Sequence, residues 1–297
     1  MAAAVTLMLV LLGLGQLCGR LRVFPEGSAE LLHRFVLLIC LPALVIVQVR
    51  QLQFDPALSV LILIPWVWAL LAIVLVKLLR RPLQLSRQVE GCLLITLPLG
   101  NTAFLGYPMV EALLGPTALP AAVVYDQLGS FLILSTLGVT LAAVYRTGER
   151  PPLSALLWRV ISFPAFVALL VGLLPLTWPA PLLAVLERLA ACLVPLVLFA
   201  IGLQLRFVLP AGQGRGLALG LLLKLGGGAV CAWMLASVFA APDAVRNVAV
   251  LQASMPVMVT GAALAIEAKQ APELASGLAG VGVLLALVWL PLLAWWL

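Results

Sequence analysis

Charge is what this chain has least of. Of its 297 residues only 9% are Asp, Glu, Lys or Arg, while 64% are hydrophobic, and the mean hydropathy is +1.22. Soluble domains are about a quarter charged and about half apolar. A chain this poor in polar groups cannot cover itself against water, so the composition excludes a soluble globular protein and makes lipid the solvent. Histidine is nearly missing as well. His33 stands alone beside Arg34, which leaves no histidine metal site and little room for a Ser/His dyad. HExxH, GxGD and a clustered Asp pair suited to metal-bound diphosphate are all absent from the sequence. An intramembrane enzyme therefore has no positioned acid–base partners to work with. The five cysteines, Cys18, Cys40, Cys92, Cys192 and Cys231, fall in apolar runs without CxxC spacing and read as small reduced hydrophobes. No metal and no cofactor is expected. A basic segment is also lacking ahead of the first apolar run, residues 1–18; Arg20 and Arg22 follow it, and no small-x-small cleavage pattern does. That run is expected to be a retained helix, not a cleaved signal. The net charge of +6 raises the question of nucleic acid, but the basic residues lie singly between apolar runs, so no nucleic-acid partner is expected.

What is present is apolar sequence cut into lengths. Charge and Pro/Gly breaks divide it into ten runs, at about residues 3–20, 31–50, 57–78, 89–113, 119–145, 154–174, 182–205, 215–240, 245–268 and 274–296. Each is near or above the ~17–25 residues that cross ~30 Å of hydrocarbon. The expected fold is an all-α integral membrane protein with ten transmembrane helices. The connections between runs are asymmetric in charge. The odd ones, Arg206 and Arg215 among them, carry 13 of the 17 Lys and Arg residues; the even ones carry only Arg50, Arg188 and Arg246, and Lys224 lies inside a run. Basic connections stay in the cytoplasm, so both termini are expected on the non-cytoplasmic side.

The midpoint falls near Arg150-Pro151-Pro152 and leaves five runs in residues 1–150 and five in 151–297. An odd number forces the second half to enter the membrane inverted. Proline placement supports a repeat: Pro42 in the second run has a counterpart in Pro195 of the seventh, and Pro98 in the fourth has one in Pro256 of the ninth. Proline inside a helix frees a carbonyl, and in lipid the break survives only where protein or a polar cavity satisfies the backbone.

The fourth run reads TLPLGNTAFLGYP, with Thr96, Pro98, Gly100, Asn101 and Thr102; the ninth reads QASMPVMVTGAALAIE, with Gln252, Ser254, Pro256, Thr260 and Gly261. Two interrupted helices at matching positions of inverted halves point to a substrate site near the bilayer midplane. The freed N–H groups at the start of each second half-helix can face an anion. Pro98, Gly100, Asn101, Thr102, Ser254, Pro256 and Thr260 are the candidate binding residues. Two ionisable positions inside the runs are candidate coupling or charge partners. Lys224 either faces a cavity or snorkels to the interface, and Gly226-Gly227-Gly228 beside it leaves room for another backbone. Asp126, with Gln127 and Ser130, either faces outside water or is buried and couples protons to transport, and a coupling proton or sodium ion is a candidate partner of the carrier.

These residues also carry a resemblance. The stretches GNTAFLGYP (100–108), SMP (254–256), APELAS (271–276) and LPAL (41–44) resemble the auxin efflux carrier family, which includes plant PIN proteins and bacterial organic-acid permeases. The resemblance covers essentially the whole chain. It implies broken crossover helices four and nine, scaffold helices one, two, six and seven beside transport helices three to five and eight to ten, and a homodimer. It implies a secondary transporter that moves a small organic carboxylate across the bilayer by an elevator type of alternating access. Asn101 stands at the family's crossover Asn, and Pro98 and Pro256 at its crossover prolines. Many relatives follow the second of these with another Pro and then an Asn, where this chain has Val257 and Thr260. The fifth connection is short, which suits a bacterial inner-membrane carrier. The rival readings are a sodium- or proton-coupled carrier of related inverted-repeat fold, such as a bile-acid symporter, then a receptor or channel, then an intramembrane enzyme.

Overall fold

Uninterrupted apolar sequence in lipid has one inexpensive conformation, because a helix satisfies its own backbone, and the computed structural model shows helix nearly throughout. It describes residues 2–52, 55–205 and 210–297, with side chains from Thr6 onward. Arg206, counted above with the odd connections, lies outside the described residues. Among the described residues six helices are long and apolar enough to cross a membrane. In chain order with the shorter ones they are α1 (Ala2–Arg20), α2 (Ser28–Val49, long), α3 (Leu58–Arg80, long), α4 (Arg87–Thr96), α5 (Gly106–Leu114), α6 (Pro116–Thr147, long), α7 (Leu153–Ile161), α8 (Pro164–Leu173), α9 (Ala180–Gln204, long), α10 (Gly214–Val238, long), α11 (Asp243–Ala253), α12 (Val259–Glu267) and α13 (Pro272–Trp296, long). The shorter helices fall where the sequence carries breakers. Pro98 and Gly100 separate α4 from α5, Pro256 separates α11 from α12, and Pro164 follows a 63° bend between α7 and α8. No strand occurs among the described residues, apart from a single bridge between Gly100 and Val257.

Three of the long helices are not α-helical throughout. π-helical turns occupy Val36–Cys40 in α2, Asp126–Ser130 and Leu134–Gly138 in α6, and Leu222–Gly227 in α10. Each adds a residue to the turn and loosens the local backbone ladder, a habit of functional sites. Two of them contain Asp126 and Lys224.

The chain divides into two compact units, each drawing on both halves of the sequence. Unit 1 is Met1–Phe54, Ala103–Val123 and Trp158–Leu205; unit 2 is Asp55–Thr102, Val124–Leu157 and Arg206–Leu297. Within unit 1, α1 and α9 pack backbone to backbone. A Cβ on Gly202 would press on the Leu12 carbonyl oxygen and lie 3.0 Å from Gly15 Cα, and one on Gly19 would lie 2.9 Å from the Leu203 oxygen. Without a hydrophobic drive between helices in lipid, such close approach of small residues is what holds them together. Gly202→Ala is therefore expected to destabilise unit 1 by about 1–3 kcal/mol, read as a lower apparent melting temperature in detergent; Gly13→Ala, at a position with nothing within 4 Å, should leave it unchanged.

Within unit 2 one carboxylate is buried at the start of α4. Glu90 is 3% exposed and pairs with Arg80 at 3.0 Å and Lys77 at 3.5 Å, both basic side chains lying in the last turn of α3. These pairs tie the start of α4 to the end of α3.

Candidate functional site

In unit 2 the two broken runs meet. The segments that lack helix pair as the shortest possible antiparallel ribbon: Asn101 N donates to the Pro256 carbonyl at 2.8 Å, and Met258 N donates to the Leu99 carbonyl at 3.0 Å. Pro98 and Gly100 interrupt the ladder after α4, and Pro256 interrupts it after α11, so each segment has backbone groups that its own helix no longer serves. Each supplies what the other lacks. The carbonyl of Leu97, at the first break, accepts from Trp68 Nε1 at 3.1 Å. Space for the crossing comes from glycine: a Cβ on Gly261 would lie 3.0 Å from the Leu99 side chain, and one on Gly282 would lie 3.1 Å from Pro256 Cβ.

Around this ribbon stand polar side chains that are almost wholly out of solvent. Asn101, Thr102, Asp126, Gln127, Lys224, Gln252 and Ser254 are between 0% and 3% exposed. Thr102 Oγ1 donates to Asp126 Oδ1, Gln127 Nε2 donates to Asp126 Oδ2 at 2.8 Å, and Gln252 Nε2 donates to the Thr102 carbonyl at 3.2 Å. Both Asp126 oxygens therefore lie at hydrogen-bonding distance from a neighbouring polar side chain. Ser254 Oγ donates to the Leu225 carbonyl at 3.0 Å, which also accepts from Trp289 Nε1 at 3.2 Å. That carbonyl lies in the π-helical turn of α10, so one loosened peptide ties α10, the end of α11 and α13 together.

Lys224 occupies the same turn and reaches inward. Its Nζ lies 5.8 Å from the Trp68 ring centroid and 3.1 Å from the point where a Cβ on Gly100 would be. At 2% exposure it does not snorkel. No carboxylate lies within 4.0 Å of its Nζ among the described residues. The indole face attracts a cation by about 2 kcal/mol or more when desolvated. That offsets part of the cost of burying the charge and leaves the ammonium's own donors for something else.

Of the residues singled out from the sequence, the structure brings together Pro98, Gly100, Asn101, Thr102, Asp126, Gln127, Lys224, Ser254 and Pro256. Thr260 stands apart. It is exposed, one residue into α12, and outside the bonded cluster. Thr102 and Ser254 already donate their hydroxyl protons, to Asp126 and to Leu225, so they hold the site's own groups in place. Trp68, the Leu225 carbonyl and Trp289 could not be picked out as site residues from the sequence. A tryptophan in an apolar run looks like any other membrane side chain, and a freed carbonyl has no letter in the sequence.

Unit 1 has a cavity of about 510 Å³, mostly apolar, with Gln48, Glu111 and Glu187 on its walls. Its only formally charged wall groups are acids, which disfavours an anionic ligand there.

Comparison with known proteins gives a consistent answer. The family model described as "Membrane transport protein" matches residues 1–294. A protein of Methanothermobacter thermautotrophicus described as an uncharacterized transporter is 30% identical over 292 residues, covering 96% of this chain and 94% of its own. Another uncharacterized transporter, from Methanocaldococcus jannaschii, is 24% identical over 212 residues, 68% of each chain.

Proposed function

Since the chain belongs to the membrane transport protein family, the auxin efflux carriers, we propose that this multi-pass membrane transporter is a secondary carrier of a small organic carboxylate anion. The observation that carries the substrate class is Lys224: a cation buried against Gly100 and an indole, with no carboxylate within 4.0 Å of its Nζ among the described residues. A charge left so in a membrane protein marks a substrate or ion pathway. The carboxylate would lie against the Lys224 ammonium at Gly100, with the Asn101 amide donating to it. The start of α12, with Thr260 one residue in, would supply further N–H groups and positive potential.

The same reading extends to architecture. Ten crossings result if α1 crosses, and if α4 with α5, α7 with α8 and α11 with α12 each make one broken crossing beside the six long helices. The two halves, 1–150 and 151–297, would then be inverted repeats, and the meeting of the two breaks in one ribbon supports that pairing. Both termini outside follows from the 13 of 17 basic residues in the odd connections. Unit 2 holds every residue of the buried cluster, which supports an elevator in which that unit carries the anion while unit 1, with α1, α2, α8 and α9, serves as scaffold. On this division Ala103–Val123 counts with the scaffold. A homodimer in the inner membrane belongs to the same proposal by family resemblance.

The test is a melting-temperature screen of small mono- and dicarboxylates on the full-length protein in detergent. A ligand at a hundred times its Kd stabilises by about 2.7 kcal/mol, so a saturable rise with at least one carboxylate is expected. A neutral or cationic analogue should give none. No rise with any carboxylate overturns the substrate class. Asn101→Ala should then weaken binding about 10-fold, the value of one charge-assisted hydrogen bond of about 1.5 kcal/mol. A folded Asn101→Ala protein that binds and transports as the wild type does would remove Asn101 from the site.

A further inference from the structure

The cluster around Asp126 contains more buried oxygen than its donors satisfy. Gln127 gives its Nε2 to Asp126, and Gln252 gives its Nε2 to the Thr102 carbonyl. Both side chains are at 0% exposure, and the Oε1 of each has no hydrogen-bond partner among the described residues. A buried acceptor left unsatisfied costs about 1–3 kcal/mol, and two on one cluster call for an explanation. Amide geometry puts oxygen and nitrogen roughly 2.3 Å apart, so Gln127 Oε1 lies within about 5 Å of Asp126 Oδ2 and Gln252 Oε1 within about 6 Å of the Thr102 carbonyl oxygen. The set comprises one carboxylate, two amide oxygens and a backbone carbonyl.

That set has the chemistry of a hard-cation site. Carboxylate, amide and carbonyl oxygens suit hard cations, and divalent ions are commonly held by several acids. Here there is a single acid, and no group of three or more His, Cys, Asp or Glu residues that could hold a metal ion occurs among the described residues. One negative charge surrounded by neutral oxygens matches one positive charge. We infer that Asp126, Gln127, Gln252 and the Thr102 carbonyl bind a small monovalent cation, sodium, that travels with the anion.

Charge balance gives the site a reason. This step rests on the reading of Lys224 as the anion's partner. Before any ligand binds, Lys224 and Asp126 sum to zero within unit 2. A carboxylate arriving alone leaves one net negative charge in a low-dielectric interior, which is costly. A sodium ion at Asp126 restores neutrality. It also connects to the anion physically: Thr102 binds Asp126 through its hydroxyl and Gln252 through its carbonyl, and it directly follows Asn101. Filling either site therefore orders the other's support, and positive coupling of about 1–3 kcal/mol is the usual size of such an effect.

The experiment compares the full-length protein in sodium, potassium and choline chloride at equal ionic strength, each with and without the carboxylate found to stabilise it. Sodium alone is expected to raise the melting temperature saturably while potassium and choline do not, and to tighten carboxylate binding at least 10-fold. Gln252→Leu, which removes one orphan oxygen, should lose the sodium response and keep the carboxylate response measured in choline. Equal melting temperatures and equal carboxylate affinity in the three salts would overturn the cation site, and that outcome is read on the wild-type protein alone. The two readings fail separately. A carboxylate response that ignores the salt sinks the sodium inference alone, whereas a sodium response with no response to any carboxylate upholds the cation site and sinks the anion assignment.

Discussion

Lys224→Met is expected to lower carboxylate uptake into proteoliposomes by about 10²–10³-fold and, in sodium, which neutralises the Asp126 left alone, to raise the melting temperature of the carboxylate-free protein. The first effect follows from what the anion would meet. Leaving one member of a desolvated charge pair unpaired costs about 3–5 kcal/mol, and each 1.4 kcal/mol is a factor of ten in affinity. The second follows from the bilayer. A lysine deep in a membrane helix carries a penalty of about 2.5–3.5 kcal/mol, only part of which the Trp68 face offsets at 5.8 Å. Methionine keeps most of the length of the side chain, fills the space against Trp68, and removes the penalty together with the charge. Opposite signs for function and stability separate a binding role from a structural one. Were Lys224 only a packing element, uptake and melting temperature would fall together; a Met variant that transports within about threefold of wild type would remove Lys224 from the anion site.

Gly228→Val should have the opposite pattern, losing stability and transport at once. A Cβ on Gly228 would press on the Ala253 carbonyl oxygen with Ala253 Cβ only 3.8 Å away, so the obstacle is backbone and cannot swing aside. Overpacking of this kind costs typically about 1–3 kcal/mol, occasionally more, and the branched valine falls at the upper end. For a chain of this size that is roughly a 5–10 °C fall in melting temperature. Ala253 is the last residue of α11, immediately before Ser254. Any shift there also moves the Ser254 hydroxyl away from the Leu225 carbonyl and the Pro256 carbonyl away from Asn101. Gly100→Ala is the instructive contrast. Its Cβ would meet the flexible end of Lys224 at 3.1 Å, which can give way, so its melting temperature should stay near wild type. Both variants are read by thermal melting and by uptake of the same carboxylate.

The positions of the two breaks were legible because in each of these runs proline stands together with glycine and several hydrogen-bonding side chains. Pro98, Gly100 and Pro256 lie where the helices stop. That Gly100 and Val257 form one bridge was not legible, since nothing local relates residues so far apart in the chain. Hydropathy placed Lys224 and Asp126 within apolar runs but could not aim them. The reason is specific: both sit in π-helical turns, which advance the helix by an extra residue and spoil any reading of faces from a 3.6-residue period. Thr260 illustrates the same limit. Its side-chain chemistry suits the site as well as that of Ser254, yet the break at Pro256 resets the helical phase. Ser254 ends up fully buried and Thr260 exposed. Six long helices among the described residues, where the sequence has ten apolar runs, reflect three of these breaks: Pro98 with Gly100, Pro164 and Pro256 stand where helix stops and apolar sequence continues, whereas Pro65 and Pro291 lie inside unbroken helices.

The ribbon of two hydrogen bonds at Gly100 and Val257 has a thermodynamic consequence. Asn101, Lys224, Asp126 and the ribbon belong to a single unit, fastened by backbone bonds of 2.8 and 3.0 Å that do not involve unit 1. On the proposed elevator, a binding site carried wholly within unit 2 would have the same intrinsic dissociation constant whichever side of the membrane it opened to. Any preference for uptake over export must then come from the ion gradients and from the resting equilibrium of the carrier. In that case the direction of net flow is a property of the cell, and reversing the gradients across a vesicle should reverse it.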